Sequence, residues 1–308
     1  PQEVLVTTRV GVLRTTPDSF EWQRDDRFPP DTRRVATWSG GAWGSPPSQL
    51  WEVTHRSKRL VQQLHQSVIT DLEAQTDGTV YVGWRGAESG LWKVEPNGEP
   101  ERLIPNVEPW TIVLRDEEVW VGTLEHGLWF SKDGSAFQQR ATGSIATVAK
   151  VGSDIWIATP SGSIYDAVSQ KQIVQIEAGF PTHIADMNDR VFLTVSSPTL
   201  KEPPFQVLKD GQITPIVDMQ VDADSGFVTS TGAWSLSDGS ALVGSFRRGP
   251  LRWKDKWSTL RSGFHATVSG GAAIDKFGRI AMAFMGTGVY LYEDGVVQPH
   301  PTEGPVTD

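Results

Sequence analysis

Short apolar stretches recur along the chain, each closed by a small residue and followed, after a polar turn, by a second apolar stretch. Val80-Tyr81-Val82-Gly83 precedes Gly90-Leu91-Trp92, Val119-Trp120-Val121-Gly122 precedes Gly127-Leu128-Trp129, and Ile155-Trp156-Ile157-Ala158 precedes Ser163-Ile164-Tyr165. Val4-Leu5-Val6-Thr7 with Gly11-Val12-Leu13 opens the series. Val191-Phe192-Leu193-Thr194, Ala241-Leu242-Val243-Gly244 and Ile280-Ala281-Met282-Ala283 continue it, and Arg34-Val35-Ala36-Thr37 with Gln49-Leu50-Trp51 is a weaker copy. The closing small residues fall at 7, 37, 83, 122, 158, 194, 244 and 283, a mean period of about 38 residues, which belongs to propeller-like arrays.

The clearest unit predicts four strands, at 69–75, 79–84, 90–94 and 101–104, separated by the turn signals Thr76-Asp77-Gly78 and Pro96-Asn97-Gly98. Further Asp-Gly turns recur at 132–134, 209–211, 237–239 and 293–295. Aromatic and β-branched residues fill the strand positions, as a pleated, half-buried surface favours. No stretch carries a convincing helical period with caps. The nearest candidate, 56–66, falls where a fourth strand and its loop are expected.

A lone four-stranded sheet of this kind cannot bury both faces, and stacking the sheets radially solves that problem. The 13 Trp read as inter-sheet packing, since burial of a large apolar side chain stabilises by about 1.5–3 kcal/mol. The expected fold is an all-β, closed β-propeller of four-stranded blades, one domain over residues 1–308. Eight blades are favoured over seven. The alternative treats 24–68 as an insertion, because Phe28-Pro29-Pro30 weakens a central-strand reading there. Gly304-Pro305-Val306-Thr307-Asp308 is similar to Ser67-Val68-Ile69-Thr70-Asp71, so the C-terminal strand is expected to pair with the N-terminal strands and close the ring.

Charge narrows the partners. The chain holds 37 acidic and 28 basic residues, a net charge of −9, which argues against non-specific nucleic-acid binding. It has no cysteine, so thiolate metal sites, disulfides and a cysteine nucleophile are excluded. No apolar run approaches the ~20 residues of a membrane-spanning helix, and no targeting segment is visible at the start of the sequence. Location is not decided by these features.

Candidate chemistry gathers on one expected face, where loops joining strands two and three meet loops leading into strand one. The first set holds Arg9, Trp43, Trp84, Arg85, Glu125, His126, Arg247, Arg248 and Met285, and the second holds His65, Trp110, His183 and His265. Trp84, Arg85, Trp110, Glu125, His126, Arg247 and Arg248 are the ligand-binding candidates, since Arg and Trp together grip a peptide, sugar or anion. His65, His126, His183 and His265 are the metal-ligand candidates, although no HExxH motif or close ligand spacing supports them. No cofactor is expected beyond such an ion. Asp222-Ala223-Asp224-Ser225-Gly226 loosely resembles a calcium loop but lacks its third acidic position and distal Glu, and reads as a surface loop. Glu125, Glu88 and Asp71 are the carboxylates available for glycoside chemistry, which needs two of them facing across a bond. No GxSxG elbow or P-loop is present.

The phrase Val119-Trp120-Val121-Gly122-Thr123 with Gly127-Leu128-Trp129 resembles the propeller repeats of two-component-regulator sensor domains. Ser131-Lys132-Asp133-Gly134-Ser135-Ala136-Phe137 resembles a shortened Asp-box, the hairpin signature of sialidase-like BNR repeats, and Thr16-Pro17-Asp18-Ser19-Phe20-Glu21-Trp22 is a second degenerate copy. The resemblance covers most of the chain as a repeat pattern and implies a propeller, with a lean towards an extracytoplasmic setting. Sialidases imply an arginine triad with a Tyr–Glu pair. Tyr81, Tyr165, Tyr290 and Tyr292 all read as strand residues, so that pair does not map. Propellers host unrelated functions. The leading reading is therefore a non-catalytic binding or scaffold propeller for a protein, peptide or carbohydrate. The alternatives are a carbohydrate-active hydrolase or lyase and a metal-dependent propeller enzyme.

Overall fold

The computed structural model describes residues 4–8, 11–15, 23–177, 179–196, 205–216, 230–236, 238–245, 249–259, 268–274, 280–284, 288–293 and 296–300. Among them there is no helix. The strands form eight antiparallel sheets in chain order. The first holds β1 (Val4–Thr8), β2 (Gly11–Thr15) and β3 (Gln23–Arg24), and the second holds β4 (Arg34–Trp38), β5 (Gly41–Ser45), β6 (Gln49–Thr54) and β7 (Lys58–Gln63). The third holds β8 (Ser67–Ala74), β9 (Val80–Gly86), β10 (Gly90–Val94) and β11 (Glu101–Pro105). The fourth holds β12 (Pro109–Arg115), β13 (Glu118–Thr123), β14 (Leu128–Ser131) and β15 (Gln138–Ala141). The fifth spans β16 (Thr147–Val151) to β19 (Gln172–Gln175), and the sixth spans β20 (Phe180–Asp186), β21 (Val191–Ser196), β22 (Phe205–Lys209) and β23 (Gln212–Pro215). The seventh spans β24 (Ser230–Ser235) to β27 (Lys256–Thr259), and the eighth spans β28 (Val268–Ile274), β29 (Ile280–Phe284), β30 (Gly288–Glu293) and β31 (Val296–His300).

The sequence pattern locates the third sheet almost residue for residue. It misplaces the first two by one strand. Residues 34–37 read as a second strand, but β4 is the first strand of its sheet, and Trp43, expected in a loop, lies in β5. The cause is that Thr37 before the Trp38-Ser39-Gly40 turn imitates the small residue that closes a second strand. Gly44 is the true equivalent of Gly83: each pairs with a first strand on one side and a third strand on the other. Residues 58–63 form the expected fourth strand in place of a helix. β1 touches β4 on one side and β28 and β29 on the other, the neighbours that first strands such as β12 have elsewhere. The expected closing strand at 304–308 lies outside the described residues.

The core is a series of apolar layers between consecutive sheets. Trp43, Leu50, Ile69, Val82 and Trp84 fill the layer between the second and third sheets. Tyr81, Leu91, Ile112, Val119 and Val121 fill the next, and Trp120, Leu128, Val148 and Ile157 the one after. Among the described residues further layers lie between the first and second, the fifth and sixth, and the sixth and seventh sheets, the last holding an aromatic group of Phe192, Phe205 and Trp253.

Tight turns fix the hairpins. Gly78 and Gly134 adopt positive φ (95° and 71°), where glycine avoids the Cβ penalty. The Asp before each glycine accepts from the residue after it. Asp77 Oδ1 takes the Thr79 N–H at 2.8 Å, and Asp133 Oδ1 takes the Ser135 N–H at 3.0 Å and hydroxyl at 2.6 Å. Those Ser135 bonds hold the Asp133 carboxyl below its usual range.

Candidate functional site

First strands start, and second strands end, on one rim of the sheets. The rims of the third and fourth sheets adjoin, because β12 contacts both β8 and β9. Trp110 sits at the start of β12 in a bulge where the pairing steps from Pro109 to Thr111, which leaves Trp110 without a cross-strand partner. Its side chain is 46% exposed, and it is the only exposed tryptophan among the described residues. Val68, near the start of β8, is 38% exposed and pairs with exposed Arg85 in β9. Glu125 and His126 are exposed in the loop between β13 and β14. That loop is well braced. The His126 N–H donates to Thr123 Oγ1 at 2.9 Å, and the His126 carbonyl accepts from Trp129 Nε1 at 3.0 Å and Gln139 Nε2 at 2.8 Å. The rim thus carries Val68, Arg85, Trp110, Glu125 and His126 on a fixed backbone.

Trp84 does not belong to this set. It was expected in a loop, but β9 continues to Gly86 and the Trp84 ring is fully buried (0%) between the second and third sheets. Glu88 is exposed, but it is engaged by Arg102 at 3.4 Å. Arg9, Arg247, Arg248, His265, Met285 and the 222–226 loop lie outside the described residues. Among the described residues the candidate histidines lie on different sheets and loops. His65 is exposed in the loop before β8, His126 lies on the fourth sheet, and His183 lies within β20 with Nδ1 3.1 Å from Thr194 Oγ1. Burial depresses the His183 pKa. Among the described residues no three His, Asp or Glu gather where they could hold a metal ion.

Asp71 ties three consecutive first strands together. Its Oδ2 accepts the Ile112 N–H from β12 at 2.7 Å, and its Oδ1 accepts from Arg34 Nη1 of β4 at 3.3 Å. Burial raises its pKa even though Arg34 and the Ile112 amide oppose the shift. Glu73, two residues on along the same strand, escaped the sequence reading. Solvent reaches its side chain, yet the surrounding protein and the Asp71 charge push its pKa up to about 8 against the Arg34 attraction. The signal that could have found it is a pair of acids at i and i+2 in an otherwise apolar first strand.

Sequence comparison with protein families and with curated proteins finds no match. Solved structures do resemble the chain. The WD40 β-propeller domain of Doa1 shares 13% identity at a TM-score of 0.54, over 86% of this chain and 93% of that one. YCF48 bound to D1 peptide shares 14% at 0.54, over 76% and 81%. The extracellular domain named as that of a hybrid two-component system, BT4673, from B. thetaiotaomicron shares 18% at 0.52. This chain aligns over 94% of its own length there but spans only 43% of the BT4673 domain. Identities this low speak for the fold alone: the chain is a β-propeller. No helix among the described residues is long and apolar enough to cross a membrane.

Proposed function

We propose that this propeller, a single closed domain of eight blades, is a non-catalytic binding module that presents its loop rim to a protein or peptide. The contacts of β1 with both β4 and β28 support the closed ring. The observation that carries the binding reading is Trp110, half exposed on a bulge while the other described tryptophans are wholly or partly buried. Exposed aromatics on rigid backbone are what interface anchors look like, because little entropy is lost when they are covered. Arg85, Glu125 and His126 supply polar contacts around it, and Arg247 and Arg248 are proposed for the same rim. The likeness to a propeller solved with a bound peptide is in keeping with this role.

Selection of displayed peptides against the intact chain tests it. Enriched peptides should lose at least about tenfold in affinity to Trp110→Ala, and Arg85→Ala should weaken them less. Peptides that bind Trp110→Ala and Arg85→Ala as tightly as the parent would remove the rim from consideration.

A second reading rests on Glu73. A carboxyl with a pKa near 8 beside Asp71 is protonated at neutral pH and suits general-acid chemistry on a carbohydrate. It predicts turnover of polysaccharides or aryl glycosides that Glu73→Gln abolishes. Absence of turnover across such a panel rejects it.

A further inference from the structure

A cavity of about 500 Å³ sits between the first and second sheets, at the end that carries the turns from first to second and third to fourth strands. It occurs where residues 25–33 run as a loop and the first sheet, among the described residues, shows three strands in place of four. Its size falls within the roughly 300–1,000 Å³ of small-molecule sites. Trp38, Phe28, Ala42 and Val53 give it an apolar side. The Trp38 ring is fixed there. It lies 5.5 Å from Trp43, and it packs so closely on Gly40 and Gly78 that a Cβ at either would come within 2.7 or 2.8 Å of its indole nitrogen.

The other side is polar, lined by Thr37, Ser39, His55, Gln75 and Thr76. Their side chains and the Trp38 indole N–H make no hydrogen bond to any described residue. Nearby groups of the same kinds are spent: Trp43 Nε1 donates to the Gly78 carbonyl at 2.8 Å, and Thr79 Oγ1 donates to Asp77 Oδ2 at 3.2 Å. Arg27 also reaches the cavity, but Asp25 Oδ1 and Oδ2 accept from its Nε and Nη2 at 2.8 and 2.6 Å, so its charge is already matched. No Asp or Glu is among the described lining residues. The wall therefore offers an aromatic plate and a row of uncommitted hydroxyl, amide and imidazole groups, with no unpaired carboxylate or guanidinium.

We infer that this cavity binds a neutral pyranoside, with the C–H face of the sugar ring against Trp38 and its hydroxyls towards Thr37, Ser39, Gln75 and Thr76. Three classes of ligand compete for such a wall. A charged ligand would give up hydration with no opposite charge to receive it. A purely aromatic ligand would fill the apolar side but cover the polar groups without bonding them, and an unmet polar group is costly. A sugar satisfies both sides, because one face of its ring is apolar and each hydroxyl both donates and accepts. The site is separate from the loop rim, and since binding is read without turnover it stands apart from any chemistry at Glu73.

Titration of the whole ¹⁵N-labelled chain with cellobiose, maltose and lactose tests it, read by the tryptophan indole N–H resonances and by saturation transfer to the sugar protons. At least one of the three should bind saturably, with a Kd on the order of millimolar or tighter, and shift the Trp38 resonance, which Trp38→Phe identifies by its loss. The double variant Thr37→Val/Gln75→Leu keeps the shape of the wall and removes two hydrogen-bonding groups. It should weaken the sugar by about tenfold or more without moving the melting temperature. The matching uronic acid, with a carboxylate in place of a primary hydroxyl, should bind no more tightly than the neutral sugar. Trp110→Ala should leave sugar binding unchanged. If Trp38→Phe does not fold, saturation transfer and the double variant decide. No saturable binding by any of the three sugars, indifference to the double variant, or a uronic acid at least about tenfold tighter would overturn the proposal. Loss of sugar binding in Trp110→Ala would move the ligand to the rim and overturn it as well.

Discussion

The rims of the third and fourth sheets carry one tryptophan each, and the two have opposite surroundings. Trp84 lies near the end of a second strand, pairs with Ile69 and Gly90 on either side, and is sealed against Trp43 and its neighbours. Trp110 opens a first strand at a bulge, has no cross-strand partner, and projects into solvent. Hydrophobicity is the same in both cases. What differs is the ladder: a paired residue is held in the pleat and points into a layer, whereas a bulged one is turned out of it. The first tryptophan serves stability and the second is available for recognition.

Substitutions sharpen or break that contrast. Trp84→Ala should cost about 3–5 kcal/mol in denaturant unfolding, because it empties a layer. A loss under about 1 kcal/mol would mean that the ring is not packed as described. Gly134→Ala probes the boundary between the two sheets. Its φ is +71°, and a Cβ there would fall 1.7 Å from Tyr81 Oη. A cost of about 1–3 kcal/mol is expected, read by the same unfolding curves. Trp110→Ala should change stability by no more than about 0.5 kcal/mol, which confines its effect to binding.

The smallest expected effect is a pH slope. The folded pKa of Glu73 is raised from 4.5 to about 8, so across that window the native state holds a proton that the unfolded chain has lost. Stability from this group is full below pH 4.5 and declines as pH rises through 8. Thermal melts from pH 4 to 9 should show a slope that Glu73→Gln reduces. Identical slopes would contradict the raised pKa of Glu73.

The third sheet was legible because its turns, Thr76-Asp77-Gly78 and Pro96-Asn97-Gly98, are unambiguous and its two middle strands are largely apolar. The second sheet slipped because Arg34-Val35-Ala36-Thr37 carries the same alternation as a second strand, and alternation does not encode strand order. Trp84 was misread for a related reason. The pattern ended that strand at 84, whereas Arg85 and Gly86 extend the ladder by pairing with Val68 and Ser67. The loop at 25–33 was half visible: Phe28-Pro29-Pro30 marks a segment that cannot continue a ladder. Arg85, Trp110, Glu125 and His126 lie at strand ends or in a loop of the adjoining third and fourth sheets, and the rim remains a proposal.

The layered core has a consequence for how the molecule is made. Each described apolar layer between consecutive sheets joins segments about forty residues apart in sequence, so contacts stay local on the scale of the chain. During synthesis a sheet leaving the ribosome finds the preceding one already waiting, and the protein is able to assemble stepwise from its N-terminus. The meeting of β1 with β28 is different. It bridges nearly the whole polypeptide and can form only after translation has almost finished.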